Sequence, residues 1–558
     1  MPRGVPVEPV ATGRKHTRSR GLIEPAQPPP RRPYRPLPPQ LARWFWLLLV
    51  LPIGYGLWLR LGAWWNTHTL TADEATVLGA SSWATHGLGL QTAPPGWLWL
   101  QGVLVDLGGT DERVLHAPSL LADLAATALL VILAARLLPL AGAFTVLMLA
   151  AANQFLVLAS ATAGQYSFEV LGTVVLIGTA VAVRHTEDRR AMAGWWGLGA
   201  VSLLVSQAAV ITVPALALAL LIEMVLRSQW VRVAGFAIWS LIFWAALALD
   251  WLVALRPSAA DSALRDAWQR LGAFPPNGGT TTAWTSQLVG HFASNPLDAA
   301  VAVAVLLAAV LGAVRLLIRR PFDGLLVLAP LAAAALTTTI GTYPLWERAA
   351  LWVVPSVLLL LGAAVDGART AADSPDWVAD AAEEAPAPWR HPTRVGAAAV
   401  AIVLLVSGMG YRVLTSASAV AATRAALPPV HLLLDGVSTQ LKSGDVVLAD
   451  TAAAAFTRIY WRRTGSPKLR GVVSLRPADA TCQAHPAEPL FANATRVWLL
   501  VAGSQPYEVT GLPEALRTYG TVDTAVHPGR GAVAYLLHPG PPTSTDPLPA
   551  AHSCLTAG

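Results

Sequence analysis

The chain has 558 residues, of which 54% are hydrophobic and only 13% are charged, and its formal net charge at pH 7 is +6. Soluble proteins carry about a quarter charged residues. Several apolar runs here approach or exceed about 18 residues, so the sequence predicts a polytopic membrane protein. The positive charge does not indicate nucleic-acid binding, because much of it lies in an N-terminal arm.

That arm, residues 1–42, is rich in arginine and proline and has no apolar period. It is predicted to be a disordered tail. Basic residues beside a first span hold that end of the chain in the cytoplasm. The first span then runs from about Trp44 to Trp65, and the loop 66–112 lies outside.

Apolar runs separated by short loops continue to residue 413, and their alternation predicts about eleven transmembrane helices. Arginines fall in every second connection, which the positive-inside rule assigns to the cytoplasm. Eleven spans put the C-terminal part of the chain outside. The predicted spans 2 to 11 cover residues 113–138, 140–158, 167–184, 193–208, 209–226, 232–254, 297–318, 323–341, 349–366 and 395–413.

Residues 414–540 have a different pattern. Short apolar runs at 445–450, 497–502 and 532–537 read as strands, and 452–463 and 512–519 read as helices. This alternation predicts a small extracytoplasmic α/β domain with a partly parallel sheet, followed by a flexible tail, 541–558. Both cysteines, Cys482 and Cys554, lie here, and the sequence allows either a disulfide or two free thiols.

Asp73 and Glu74 follow the first span. Two adjacent carboxylates at the exit of a transmembrane helix are costly unless they lie in a solvated loop or a polar cavity, or take part in chemistry. Pro94 and Pro95 then open an apolar, tryptophan-bearing segment, and Gly-Gly-Thr-Asp-Glu-Arg, residues 108–113, breaks the chain before span 2.

Further motifs lie on the predicted outer side of the membrane. They are Gln165-Tyr166-Ser-Phe-Glu169, the segment 268–276 with Arg270, Tyr343-Pro344 followed by Arg348, and Asp445 and Tyr460 in the outer domain.

This series of motifs resembles the GT-C membrane glycosyltransferases, in the branch of the protein O-mannosyltransferases and aminoarabinose transferases. Members of that branch carry an Asp-Glu pair after span 1, a Pro-Pro segment and a Gly-x-x-Glu-x-x-x-Arg element before span 2. Here His116 stands where that arginine is usual, and Ile459 replaces a tyrosine. The resemblance covers about residues 43–540. It implies inverting transfer of a sugar from a polyprenyl-phosphate donor to an extracytoplasmic glycan, protein or lipid.

Inverting transfer needs a base for the acceptor hydroxyl, and the resemblance makes Asp73 the candidate. Glu74 is expected to orient the acceptor or support the site. The leaving phosphate needs donors and cations. Arg348 is the first choice, because it begins a span at headgroup depth and can bind a phosphate through two N–H groups. The other candidates are Arg270, Arg265, Gln165, Tyr166 and His116.

Several of these residues have a structural alternative. Arg348 is equally consistent with an interfacial anchor, and Tyr166 with an aromatic-belt residue. His116 fits a structural hydrogen-bonding group better than a base. Asp123 should face the interior of the bundle and has no assigned role. Asp73 and Glu74 supply only part of the six-oxygen shell of Mg²⁺ or Mn²⁺, so metal dependence is open.

The sequence leaves three function classes: a transferase, a non-catalytic binder of lipid-linked sugars or envelope assembly protein of the same fold, and a secondary transporter. The transporter is disfavoured because no internal repeat is evident. The sequence contains no phosphate-binding P-loop motif. The predicted partners are the donor lipid, the acceptor and the bilayer.

Overall fold

The structure is a computed structural model, in which the residues from Leu49 onward form one compact unit. It describes residues 39–67, 69–71, 74–75, 77–78, 93–109, 111–186, 188–256, 266, 268–276, 281–298, 302–365, 410–411, 414–425, 427, 429–461, 469–477, 494–502, 516–517, 519–529, 531–540 and 553–557.

Helices dominate the described part of the chain. In order they are α1 Pro39–Trp65, α2 Pro95–Gly108, α3 Glu112–Leu137, α4 Leu140–Ala152, α5 Gln154–Ser160, α6 Tyr166–Val183, α7 Arg189–Leu203, α8 Ala209–Leu226, α9 Trp230–Asp250, α10 Thr281–Ser294, α11 Ala302–Arg319, α12 Pro321–Thr339, α13 Val354–Val365, α14 Val430–Ser438 and α15 Thr451–Tyr460. A π-helical segment, Trp251–Leu255, extends α9, and a 3₁₀-helix, Glu347–Val353, leads into α13.

Within the described residues, eight helical segments are long and apolar enough to cross a membrane, or nine if a bent pair counts as one span. The predicted total of eleven is therefore not confirmed. The fifth predicted span corresponds to α7, which has only 15 residues and, at 1.5 Å per residue, is shorter than a bilayer core of about 30 Å. Predicted span 11 lies almost wholly outside the described residues.

The third predicted span is the bent pair. The sequence predicts one helix over 140–158, but α4 and α5 meet at Asn153 at an angle of 57°. The Asn153 side chain causes the break, because its Oδ1 accepts a hydrogen bond from the Leu156 amide at 2.9 Å and so begins a new helix. Its Nδ2 donates to the Pro296 carbonyl at 3.0 Å.

The arginine-bearing helix ends meet at one end of the bundle. Arg184, at the end of α6, binds Glu223 of α8 and Asp323 of α12. Arg232 donates to the Val183 and Thr186 carbonyls. This grouping agrees with the one-sided distribution of arginines in the sequence.

Helix packing in the bundle depends on close backbone approach. A Cβ atom added to Gly142 of α4 would lie 2.6 Å from the carbonyl oxygen of Gly362 in α13, and the reverse distance is 2.7 Å. Small residues allow such contact between membrane helices. Helix α13 is almost fully buried, whereas α9 exposes many large apolar side chains, as expected of a helix that faces lipid.

The C-terminal part forms the predicted α/β domain. Its strands are β1 Val446–Asp450, β2 Gly471–Pro477, β3 Val497–Ala502, β4 Gly520–Gly529, β5 Ala532–Pro539 and β6 Ser553–Ala557. They form a sheet of order β4-β5-β3-β1-β2-β6. Strand β1 is parallel to β2 and β3, and the remaining pairs are antiparallel. The sequence predicts β1, β3 and β5 but misses β2, β4 and β6.

The start of this domain differs from the prediction. Residues 414–425 are helical, and Ala417 and Val420 pack with Leu59 of α1 and Val157 of α5. This segment therefore belongs to the helical bundle, and the described α/β domain begins near Val430. Cys482 lies outside the described residues, so the disulfide stays a prediction.

Candidate functional site

Glu74 lies at the end of the bundle opposite Arg184 and Arg232. Its side chain is 4% exposed, yet its carboxylate has several donors around it. Oε1 accepts a hydrogen bond from the Ala163 amide at 2.6 Å, and Oε2 accepts one from the Thr71 amide at 2.5 Å. His116 Nε2 lies 3.3 Å from Oε1.

Thr71 and Glu74 form a capping box. The Thr71 hydroxyl accepts a hydrogen bond from the Glu74 amide at 3.2 Å, while the Glu74 carboxylate accepts one from the Thr71 amide. This reciprocal pair begins a helical turn, and the Ala75 amide donates to the Thr71 carbonyl at 2.9 Å. The Thr-x-x-Glu spacing is visible in the sequence, although the prediction for Glu74 rests only on the acid pair.

The electrostatic surroundings keep Glu74 ionised. Burial alone raises the pKa of this carboxyl, but His116, the Thr71 amide and Arg424 outweigh burial and lower the pKa to about 2. A carboxylate with so low a pKa is a weak base at neutral pH. The contacts of Glu74 join the segment after α1 to α3 and to the loop before α6, so Glu74 acts as an anchor.

Ala72 and Asp73 lie outside the described residues, as does Arg265. The proposed base is therefore located only through its neighbours Thr71 and Glu74 in the chain.

The Pro-Pro segment packs beside the same end of the bundle. Pro95 begins α2. The Trp97 amide donates to the Leu204 carbonyl at 3.0 Å, and the Trp97 ring lies 5.3 Å from that of Phe168. Gln101 Nε2 donates to the Leu115 carbonyl at 3.2 Å. Helix α2 is thus attached both to α3 and to the loop between α7 and α8.

Two of the phosphate-binding candidates are in contact. The Arg348 guanidinium carbon lies 5.7 Å from the centroid of the Tyr166 ring, and both side chains are half-buried. Gln165, buried, directly precedes Tyr166. Tyr166 begins α6 and Arg348 lies in the 3₁₀-helix, so the Tyr-Pro element and the Gln-Tyr element meet and form one cationic and aromatic patch. We call Arg348, Tyr166 and Gln165 the Arg348 patch.

Tyr343 lies beside the Arg348 patch. Its ring meets Trp352 edge-on at 6.1 Å. Removal from water raises the pKa of the Tyr343 phenol well above its ordinary value, and Glu169 and Tyr166 raise it further. Glu169 itself is fully buried near the start of α6. The Gln-Tyr motif contains Glu169, and an acid within a span is a signal of function, but the sequence predicts no specific role for it.

Arg270 lies on the segment 268–276 with an exposed side chain. This segment packs against the chain just before Arg348. Trp284 Nε1 donates to the Gly272 carbonyl at 3.0 Å, and Trp284 and Trp346 share a buried cluster. The His291 ring stacks on Trp346 with 3.6 Å between centroids. The large loop and the Tyr-Pro element are therefore one packed unit.

The α/β domain covers the anchored segment. Leu70, Leu78 and Leu115 share a buried cluster with α14 and with Phe456 of α15. The Tyr460 hydroxyl donates to Glu112 Oε1 at 2.5 Å. Burial, and then Glu112, raise the pKa of Tyr460.

Asp445, the other residue of the outer-domain motif, has a structural environment. Its Oδ2 accepts hydrogen bonds from the Lys442 amide at 2.9 Å and from Trp498 Nε1 at 3.0 Å.

One backbone N–H donor reaches each oxygen of the Glu74 carboxylate, and the metal dependence that the sequence leaves open stays untested. In the part of the chain that the structure describes, no group of three His, Cys, Asp or Glu side chains could hold a metal ion.

The described residues thus form a bundle of apolar helices, with an anchored acidic loop at one end under a small α/β domain. The chain is similar to ArnT from Cupriavidus metallidurans in its apo state, with a TM-score of 0.51 and 12% identity over 89% of this chain and 98% of that one. The crystal structure of that ArnT bound to undecaprenyl phosphate gives a TM-score of 0.49 and 13% identity, with the same coverage. The first likeness shows the fold alone. No protein-family model and no curated protein matches the sequence.

Proposed function

We propose that this chain is an integral membrane glycosyltransferase that transfers a sugar from a polyprenyl-phosphate donor to an extracytoplasmic acceptor, with inversion. One observation carries the proposal: the acidic loop and the Arg348 patch are attached to the two ends of one short connection. The Ala163 amide binds Glu74, and Tyr166, three residues later, lies under Arg348. A base and a leaving-group site must lie on opposite sides of one anomeric carbon, and a connection that binds Glu74, the neighbour of Asp73, and begins the Arg348 patch supports placing the two together.

In the proposed reaction, Asp73 accepts the proton of the acceptor hydroxyl while the hydroxyl oxygen attacks the anomeric carbon. The bond from that carbon to the phosphate oxygen breaks, and its electron pair leaves with the polyprenyl phosphate. Arg348 faces the negative charge that develops on the phosphate, where a fixed cation stabilises the transition state. Gln165 and Arg270 are further donors for the phosphate.

Glu74 and His116 have a supporting role in this mechanism. Glu74 already accepts hydrogen bonds from two backbone amides, so it holds the segment that carries Asp73 and does not itself take the proton. His116 lies within 3.3 Å of Glu74 and stabilises its charge. The proposed roles of the two adjacent acids therefore differ: Asp73 reacts, and Glu74 positions.

The test is a deletion strain analysed by mass spectrometry of its envelope glycans and its polyprenyl-phosphate sugars. We expect the donor lipid to accumulate and an envelope acceptor to lose one sugar. The wild-type gene should restore both pools, and Asp73→Asn should not, with transfer reduced by about 10²–10⁴-fold, the usual contribution of a general base.

Asp435→Asn is the matched control, because Asp435 is an exposed acid on α14; it should restore both pools. Full restoration by Asp73→Asn would favour a lipid-sugar binder of the same fold. Unchanged pools in the deletion strain would contradict a transferase altogether.

A further inference from the structure

The interior of the bundle contains an ion pair that the proposed reaction does not use. Arg60 of α1 and Asp123 of α3 are each 1% exposed, and Arg60 Nε donates to Asp123 Oδ2. The pair lies within two helices predicted to cross the membrane, where unpaired charge is costly. The sequence predicts that Asp123 faces the interior of the bundle, which the structure confirms, but it does not predict Arg60 as the partner.

Arg60 makes more contacts than an ion pair needs. Nη1 donates to the carbonyls of Gly56 at 3.3 Å and Ala151 at 3.2 Å. Nη2 donates to the carbonyl of Ala150 at 3.0 Å and to Thr127 Oγ1 at 3.3 Å. Together with Asp123, these acceptors occupy all five N–H groups of the guanidinium. Two of them, Ala150 and Ala151, lie in the last turn of α4.

Those two carbonyls lose their ordinary partners at the helix break. In a continuous helix, the Ala150 and Ala151 carbonyls would accept from the amides of Gln154 and Phe155, four residues further on. The Gln154 amide instead donates to Asp298 Oδ2 at 3.2 Å. Carbonyls without partners are not tolerated in an apolar interior. Arg60 takes the place of the missing amides, and Asp123 balances its charge.

The break determines where α5 leads. This short helix packs against α1 through Val157, Leu59 and Ala63, and it ends at the connection 161–165. That connection binds Glu74 through the Ala163 amide, and its Gly164 carbonyl accepts a hydrogen bond from Ser119 Oγ at 3.1 Å. If α4 and α5 formed one continuous helix, the connection 161–165 would lie elsewhere, away from Glu74 and Ser119.

We infer that Arg60 and Asp123 are positioning residues: they hold the break between α4 and α5, and so they fix the place of the connection that holds Glu74 and begins the Arg348 patch. The catalytic meaning of this role rests on the proposed glycosyl transfer. The position of the connection does not depend on that reaction, so the positioning role and the proposed function can be tested separately.

The experiment measures the position of the connection directly. Spin labels are placed at Thr162 and at the exposed Leu218 of α8, in a chain whose Cys482 and Cys554 are replaced by serine, and pulsed electron resonance gives their distance. Arg60→Lys keeps a charge for Asp123 but loses the planar fork. In Arg60→Lys we expect the distribution of distances between the two labels to shift and broaden. We expect the same change in Asp123→Asn.

A second comparison separates a positioning role from general stability. Asn153→Ala removes the cap of α5 and should also shift the distance. If Arg60 acts through the break, the two substitutions should be non-additive in the double variant, because they disturb one feature. Additive shifts would overturn the inference.

Glu223→Gln is the matched control. It cuts a buried ion pair with Arg184 between α8 and α6, at the opposite end of the bundle. It should lower the melting temperature and leave the label distance unchanged. Wild-type distances in Arg60→Lys and in Asp123→Asn, with only the melting temperature lowered, would contradict a positioning role.

Transfer provides the last readout. A misplaced catalytic group can cost about 10²-fold in rate, so we expect Arg60→Lys to reduce turnover by that order while donor binding persists. A shifted connection in a protein whose wild type transfers no sugar would uphold the positioning role and refute the proposed function.

Discussion

Substitution of Glu74 by glutamine tests whether this acid is an anchor. The amide has one acceptor oxygen, but the Thr71 and Ala163 amides both donate to the carboxylate at this place. One of them would therefore face an NH₂ group. His116 would lose its ionised partner. The lowering of the Glu74 pKa from 4.5 to about 2 corresponds to about 3 kcal/mol of stability at neutral pH.

The pH dependence follows from the direction of the shift. Because the pKa of Glu74 is lower in the folded chain than in the unfolded chain, its stabilisation is complete above about pH 5 and is lost as the pH falls toward about 2. The wild type should thus unfold at a higher temperature than Glu74→Gln at pH 7, by on the order of a few degrees. The difference should shrink as the pH falls below 4.5.

The assay is thermal unfolding of the purified protein in detergent, at several pH values between about 7 and about 3, a range that covers the upper part of the change in stabilisation. Asp435→Asn is again the control, because it removes an exposed acid and should leave the melting temperature unchanged at every pH. If Glu74→Gln is as stable as the wild type at neutral pH, then Glu74 is not an anchor and the separation of roles between Asp73 and Glu74 fails.

Three further predictions concern other parts of the structure. Arg348→Lys keeps the charge of the Arg348 patch but loses the planar guanidinium, so donor binding should weaken substantially in a lipid-binding assay; unchanged binding in both the lysine and alanine variants would leave Arg348 as a membrane anchor. Tyr460→Phe removes the hydrogen bond to Glu112, at a cost of about 1–2 kcal/mol, and should raise hydrogen exchange in residues 66–78; equal exchange would show that the α/β domain does not hold the loop through this bond. A cysteine at Gly511 should react with an impermeant thiol reagent in intact cells, in a chain whose native cysteines are replaced by serine; labelling only after lysis would reverse the predicted topology.

The sequence alone determines the class of fold, because hydropathy and charge act locally. A run of apolar residues that spans a bilayer is recognisable without its neighbours, and arginines at alternate helix ends identify one end of the bundle. The α/β domain follows from short strand-like runs, and β1, β3 and β5 are confirmed near their predicted bounds. The antiparallel strands β4 and β6 are missed, since their sequences have no continuous apolar run.

Only the tertiary structure decides what the individual polar residues do. The pKa of Glu74 is lowered mainly by His116, and one of its two backbone hydrogen bonds comes from Ala163, 89 residues along the chain. The bend at Asn153 requires an arginine from α1, a carboxylate from α3 and a carbonyl from the loop before α11. These partners are distant in sequence, and no local pattern brings them together. A buried polar group is stable only where its partners meet, so their arrangement in space, and not their spacing along the chain, assigns their roles.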